Sequence, residues 1–532
     1  MKISATATQI HVEIPFEQRA EVTALRGARW NPRDKLWGFP ATPHAAQCLV
    51  EAFPQFQDHP HLQTFLDTPL ANYSAARHLT EDFKTELWAH QKAAVEFAWN
   101  RPATMLAMEM RTGKTAVAIA LASLWGSKCI LVTCPLSVVG VWEAEIALHS
   151  DLPWYIVRLD KGSVKEKTEK LIKAMKYHNN LSMIVIVNHE SLWREPFGKL
   201  TLELNWELVI VDESHRAKAP GGKLSRYLGR LADHVPKRLA LTGTPLPHSP
   251  LDAYAQYRFL DRSLYGSNFN RFKNRYAITG GFQKHEIIGW QNMDEFSDRF
   301  HEIAFEVTTD EAFDLPEEMD IRRSTTLEPK AQKIYDSMEK NFWAEVESGE
   351  VTASNALVKL LRLQQVTSGW LKGDDGTMIQ VSTEKMALFF DVLEDFKIET
   401  PLVIFVRFTK DIEMVRLICE KQKRRVGEVS GQQKDLTDAG TFPENLDVLI
   451  CQIQSGSLGI NLSRASTSIF YSWGWSLGDV EQARARIRHA DQKHKLQFIH
   501  LVIENSIDDR MMGCLKKRKD FIEDVLEKGR PT

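Results

Sequence analysis

The feature that most restricts how this chain can fold is a recurrence of short, β-rich apolar runs separated by helical patterns. It starts at Leu87 and resumes after residue 384. "TMLAM", "CILVTC", "MIVIVN", "LVIVD" and "RLALTG" make the first series, and "PLVIFV", "LDVLIC", "TSIFYS" and "QFIHLVI" the second. Short apolar runs alternating with helices predict parallel sheets with crossover helices, so the expected class is α/β with two doubly wound lobes. The runs of the first series end in polar or glycine residues, as expected where such a sheet presents its ligand edge.

A length of 532 residues exceeds one core and suggests about three or four domains. We expect a small αβ module over 1–60, a polar, proline-bearing linker over 61–85, a first lobe over 86–260, a helical insertion over 261–384 and a second lobe over 385–532. In the first module, Ile10, Val12 and Ile14 alternate along a strand, and "FEQRAEVTALRGA" reads as a helix. Asn31-Pro32-Arg33-Asp34 is turn chemistry between two short aromatic strands. The insertion carries helical stretches, "KAQKIYDSMEKNFWAEVE" and "ASNALVKLLRLQQ".

A net charge of -3 argues against a wholly basic DNA-coating protein but leaves room for a local basic channel. The six cysteines form no CxxC pair, so neither a disulfide framework nor a zinc site is expected, and a reducing compartment fits. The first residues alternate polar and apolar types instead of forming a secretory signal, and no apolar run approaches the ~18 residues of a membrane span. The expectation is a cytoplasmic monomer with no membrane association, nuclear only in a eukaryotic source.

"TMLAMEMRTGKTAVAIALASL" reads as strand, tight loop and helix. A stray Gly-Lys-Ser/Thr occurs by chance in roughly one chain in four of this length, so Gly113-Lys114-Thr115 depends on this setting for its meaning. In it, loop N–H groups and a helix N-terminus can hold phosphates, Lys114 can neutralise them and Thr115 can ligate magnesium. The strand "LELVIVDESH" ends in two carboxylates: Asp212 suits a metal, and Glu213 an attacking water. Thr242, after "RLAL", is either a relay of nucleotide state or part of a plain turn. "QARARIRH" holds Arg484, Arg486 and Arg488, either a basic helical face or the source of a cation for the transferring phosphoryl group.

Taken in order, "LWAHQ", "MEMRTGKT", "CPLSVVGVW", "VNHESL", "VDESH", "LTGTPL", "VIFVRF", "QSGSLGINL" and "QARARIRHADQ" resemble the motifs of Swi/Snf-type translocases of helicase superfamily two. "LYGSNFNRF", "LPEEMDI" and "IENSIDDRMMGCLKKRKDFI" are similar to that family's insertion and closing helix. The resemblance covers about 440 residues. It implies two RecA-like lobes that bind ATP and Mg2+ and act on duplex or forked DNA. Gln91 would read adenine; Arg111, Thr112, Gly113, Lys114, Thr115 and Gly459 would bind nucleotide; and Thr115 and Asp212 would hold the metal. Lys114, Asp212, Glu213 and Arg486, with Arg488 as second choice, would serve hydrolysis. Pro135, Ser137, Thr242, Ser455 and Gly456 would follow the DNA.

"LRGARWNPRDKLWGFP" is similar to the HARP-type module of annealing helicases. Arg29, Trp30, Arg33, Lys35 and Trp37 there interleave cations and rings, as phosphate contact with base stacking requires, although the two tryptophans equally fit a small core. Three departures from the family pattern stand out. Met108 and Arg111 replace an acidic or small residue and a glycine. His489 aligns with an expected arginine. "VTTDEAFDLPEE" lacks the usual Arg-Thr-Lys. The implied roles are fork remodelling or strand annealing, a defence, restriction or phage translocase, or a DNA-binding scaffold whose ATPase has decayed. A separate protein that loads the motor is left open.

Overall fold

The computed structural model describes residues 3–5, 9–14, 18, 22, 29–31, 36–40, 43–66, 83–177, 181–280, 286–313, 318–348, 353–373, 376–437, 440–453, 460–488 and 494–527. The chain forms two compact units, Met1–Ala312 with Phe521–Thr532, and Phe313–Asp520.

In the first unit, β1 (Ile3–Ala5), β2 (Gln9–Val12), β3 (Arg29–Asn31) and β4 (Leu36–Pro40) make an antiparallel sheet in the order β1-β2-β4-β3. Ile10, Val12, Trp37 and Phe39 pack with Leu49 of the helix Pro43–Ala52. The sequence reading missed β1. The segment assigned to the linker begins instead with a helix, Pro60–Leu66, whose Leu62 joins the same core. Most of the helix expected over 16–28, and residues 67–82 of the expected linker, lie outside the described residues.

The large sheet of this unit comprises β5 (Ala103–Met108), β6 (Cys129–Cys134), β7 (Tyr155–Leu159), β8 (Met183–Asn188), β9 (Leu208–Asp212), β10 (Lys237–Leu241) and, beyond a hairpin of β11 (Ala277–Gly280) and β12 (Glu286–Trp290), β13 (Ala304–Val307). Its order is β13-β5-β10-β9-β6-β8-β7, and every neighbouring pair is parallel. The central strands are fully buried, as the continuous apolar runs require. The helix Lys114–Leu124 packs seven consecutive apolar residues, Ala116 to Ala122, into the same core.

The second unit holds β14 (Glu318–Thr325), a hairpin of β15 (Trp370–Lys372) and β16 (Met378–Gln380), and then β17 (Leu402–Val406), β18 (Val426–Val429), β19 (Val448–Gln452), β20 (Thr467–Phe470) and β21 (Leu496–Ile503). Six of these strands form a second parallel sheet, β14-β21-β20-β17-β19-β18. The two expected helices are present as Pro329–Ser348 and Ala353–Thr367.

The expected insertion over 261–384 is corrected. It is shared between the lobes, because β13 hydrogen-bonds to β5 in the first sheet and β14 to β21 in the second. Backbone pairing at a sheet edge binds each segment to its lobe more firmly than an independent domain would be held.

Candidate nucleotide-binding and hydrolysis site

All the loops that matter in the first lobe leave the same edge of its sheet. The strand registers pair Leu241 with Asp212, Thr133 with Val211, and Cys134 with Asn188. The segments that follow Met108, Cys134, Asn188, Asp212 and Leu241 therefore emerge side by side.

The loop after β5 turns on two left-handed residues, Arg111 with φ 68° and Gly113 with φ 81°. At Gly113 the left-handed φ favours glycine, and a Cβ would lie 2.1 Å from Gln91 Nε2, which would have to move. Gln91 is buried against the loop. Its Oε1 accepts the Trp88 N–H at 2.9 Å and its Nε2 donates to the Thr112 carbonyl at 3.2 Å. The Thr112 hydroxyl donates to the Glu109 carbonyl at 2.7 Å, closing the turn from inside. Lys114 and Thr115 open the helix, and the Lys114 ammonium donates to the Met108 and Glu109 carbonyls at 2.8 and 3.0 Å. Burial lowers its pKa, opposed by the charges of Glu213, Asp212 and Glu109.

Arg111 explains its own anomaly. A left-handed non-glycine residue costs about 1–2 kcal/mol, which is the reason a glycine suits this position. Its side chain is half-buried and is engaged in contacts, so it does not simply point to solvent.

Asp212 is held from two sides. Its Oδ2 accepts the Trp142 indole N–H at 2.9 Å, and its Oδ1 the Glu213 N–H at 2.9 Å. Burial, then the neighbouring Glu213 charge, push its pKa up to about 6. Glu213 adopts a left-handed φ of 48°, backbone strain of the kind that collects at functional sites. Its buried Oε2 takes no hydrogen bond and lies 3.4 Å from His215 Nδ1. Burial, then Lys218 and Arg216, push His215 down to about 3, so it meets Glu213 as a neutral ring and the contact is not an ion pair. The same Nδ1 is 3.1 Å from the Thr242 hydroxyl, which accepts the Thr244 N–H at 3.1 Å.

A magnesium ion fits this donor set. Asp212 and the Thr115 hydroxyl offer hard oxygen atoms, and a cation would offset the burial penalty on Asp212. Among the described residues no group of three or more His, Cys, Asp or Glu could hold a metal unaided.

In the second lobe the arginines of "QARARIRH" diverge. Arg484 donates to Asp320 Oδ1 at 2.6 Å and to Glu318 Oε2 at 2.9 Å, with its guanidinium 4.0 Å above the Phe498 ring. Arg488 also pairs with Glu318, at 2.7 Å from Oε2. Arg486, just beyond the helix Leu477–Ala485, lines a small cavity of about 10 Å³ together with Gln452, Asp479 and Gln482. Arg488 is thus held in an ion pair inside its own lobe.

Three expectations are corrected. Thr242 is fully buried and Pro135 is buried too, so neither side chain can touch DNA. The Thr242 hydroxyl lies between His215 Nδ1 and the Thr244 N–H, and Pro135 starts the short turn Leu136–Val138. Trp37 sits in the core of the first module, leaving no ring face for base stacking. Ser137 is half-buried at the ligand edge, and Arg29 and Trp30 lie on β3. Arg33, Lys35, Ser455, Gly456, Gly459 and His489 lie outside the described residues.

Sequence reasoning missed Trp142, Glu318 and Asp320. The two acids stand two apart on a strand and so share a face, which was the available signal.

A SNF2-related domain model matches residues 90–369, and a Helicase conserved C-terminal domain model matches 384–491. The chromatin-remodeling factor PICKLE of Arabidopsis thaliana is 25% identical over 475 residues, covering 80% of this chain and 33% of that protein. Protein p41 of Acyrthosiphon pisum secondary endosymbiont phage 1 is 26% identical over 452 residues, covering 78% of this chain and 92% of that protein. A Sulfolobus solfataricus SWI2/SNF2 ATPase core in complex with dsDNA aligns with a TM-score of 0.39 and 20% identity, over 85% of this chain and 96% of that one. This chain thus spans a third of the plant protein and most of the phage protein. With the first domain model matching more than half of its residues, the chain belongs to the SNF2-related family of helicase-like ATPases.

Proposed function

We propose that this chain couples ATP hydrolysis to movement along duplex DNA. The observation that carries the reading is the convergence of Gly113-Lys114-Thr115, Asp212-Glu213 and the His215–Thr242–Thr244 chain on one sheet edge.

The β- and γ-phosphates of ATP lie against the loop N–H groups and the start of the helix Lys114–Leu124, where Lys114 neutralises charge. Gln91 braces the loop through Thr112 and uses its second amide hydrogen toward the adenine. Thr115 and Asp212 would hold Mg2+, which would supply positive charge to neutralise the phosphate oxygens. Glu213 orients the attacking water through Oε2, which takes no hydrogen bond within the protein. Because His215 faces both Glu213 and Thr242, loss of the γ-phosphate is felt at the Thr242–Thr244 segment, and through it by the DNA-facing loops. Arg486 is assigned the charge-stabilising role on the transferring phosphoryl group.

The intact Lys114, Asp212 and Glu213 speak against a decayed ATPase. The test is ATP turnover by the full chain with no DNA, single strands, duplex and a forked junction, with Lys114→Ala as control. Duplex stimulation in wild type that is absent in the variant is expected. Equal inertness of both proteins on every substrate would end the motor reading, and stimulation by forks alone would favour remodelling.

A further inference from the structure

We infer that the first lobe carries a second phosphate-binding surface, a cationic cleft on the helix Lys223–Leu231 that takes the phosphodiester backbone of duplex DNA. This inference rests on the duplex-motor reading above. The cleft is open, has a volume of about 480 Å³ and is lined by Trp193, Lys223, Arg226, Gly229, Arg230 and Arg258. No carboxylate is among these residues. The acid at its border, Glu195, accepts the Lys199 N–H at 3.2 Å and faces Tyr227.

The helix is divided by side. Ser225, Tyr227, Leu228 and Leu231 are buried, while Lys223, Arg226 and Arg230 are exposed at helical spacing along one stripe. Like charges so placed repel one another, and an anion laid along them removes the cost. Two of the cations are also fixed in place. Lys223 Nζ lies 4.9 Å from the centre of the Trp193 ring. Arg258 donates to the Pro220 carbonyl and to the Ser225 hydroxyl, each at 3.0 Å. Its side chain crosses the helix at Gly229, where a Cβ would come 3.3 Å from Nε, so the missing side chain makes the passage. Positioned cations bind an anion without first losing rotamer freedom.

The cleft's place in the fold agrees with this. Trp193 follows the short helix His189–Leu192 beyond the carboxyl end of β8, and Pro220 to Lys223 follow the loop after Asp212. The cleft thus borders the ligand edge yet shares no residue with the nucleotide loop. From Lys223 to Arg230 the helix rises about 10 Å, enough to track about three phosphates of one strand. That spread fits a polymer backbone better than one compact polyphosphate, although both present the same oxyanion chemistry.

The test measures binding of a labelled duplex by the full chain across a salt series, in wild type and in a Lys223→Ala, Arg226→Ala, Arg230→Ala triple variant whose fold is checked by thermal unfolding. The variant should bind about tenfold more weakly, with the slope of log K against log salt reduced by about 2–3. Equal affinity and slope in both proteins overturn the inference while leaving the motor reading intact, whereas no duplex binding by wild type ends both. Inorganic tripolyphosphate forms the second arm. A variant that loses tripolyphosphate binding but keeps its duplex binding shows a small-polyphosphate site and overturns the DNA assignment. A third measurement needs no variant: in wild type, duplex should shield Lys223 from acetylation mapped by mass spectrometry, and unchanged modification contradicts the proposal.

Discussion

The two lobes treat their functional cations in opposite ways. In the first, Lys114 hangs on two backbone carbonyls, with Asp212 and Glu213 attracting it from nearby, so the geometry comes from the loop and not from a salt bridge. In the second, Arg484 and Arg488 are held by Glu318 and Asp320 of β14, while Arg486 lines a small cavity with Gln452, Asp479 and Gln482. A run of similar arginines is thus sorted by partners far away in sequence, while the lysine needs only its own turn. The comparison sets a lysine placed by the carbonyls of its own loop against arginines placed by carboxylates of another strand.

The strongest way to break this comparison is to exchange its consequences. Lys114→Ala should lower ATP turnover about 1,000-fold with little change in thermal unfolding, because phosphate charge loses its main counter-ion. Arg486→Ala should lower turnover about 100-fold or more, again with little effect on unfolding. Arg484→Ala should act mainly on stability, by about 1–3 kcal/mol in denaturant unfolding, since it removes charged hydrogen bonds to Glu318 and Asp320, which keep Arg488 and His500 as partners. If Arg488→Ala instead stops hydrolysis while Arg486→Ala is silent, the sorting of the arginines is wrong.

Asp212→Asn sharpens the contrast through pH. The folded carboxyl has a pKa of about 6, above the unfolded 3.8, so the fold bears the cost of ionising it at pH above 6 and sheds that cost as pH falls toward 4. The variant should therefore be more stable than wild type at pH 8, on the order of 1 kcal/mol once the lost attraction to Lys114 is discounted, and no more stable at pH 4. An advantage that grows on acidification contradicts the assignment. The smallest effect is at the loop: Arg111→Gly should stabilise by up to about 1 kcal/mol by relieving the left-handed strain. A fall in nucleotide affinity in that variant, read from KM, would show that the Arg111 side chain also serves the site.

How far these features were legible in the sequence follows from where their causes lie. The central strands β5, β6, β8 and β9 announced themselves because burial on both faces demands unbroken apolar runs. The edge strands did not. β7 contains Arg158, paired with Glu143 and Asp160; β13 contains Glu306, paired with His301; and β14 alternates acids and cations. The nucleotide loop was legible because strand, loop and helix are contiguous. The fate of Arg488 was not, since it depends on β14 lying beside β21, more than 150 residues away in sequence. Likewise, the residue types of Thr242 and Pro135 suited a DNA track, but their burial is set by neighbouring strands, which the residue types do not reveal.

The central claim is that ATP hydrolysis at the Lys114–Asp212–Glu213 edge drives the chain along duplex DNA. Displacement of a third strand from a triplex tests it directly, because removing that strand requires directed motion along the intact duplex. Wild type should release it only when ATP and Mg2+ are both present, and Lys114→Ala should not. ATP turnover stimulated by duplex without any release of the third strand would contradict translocation.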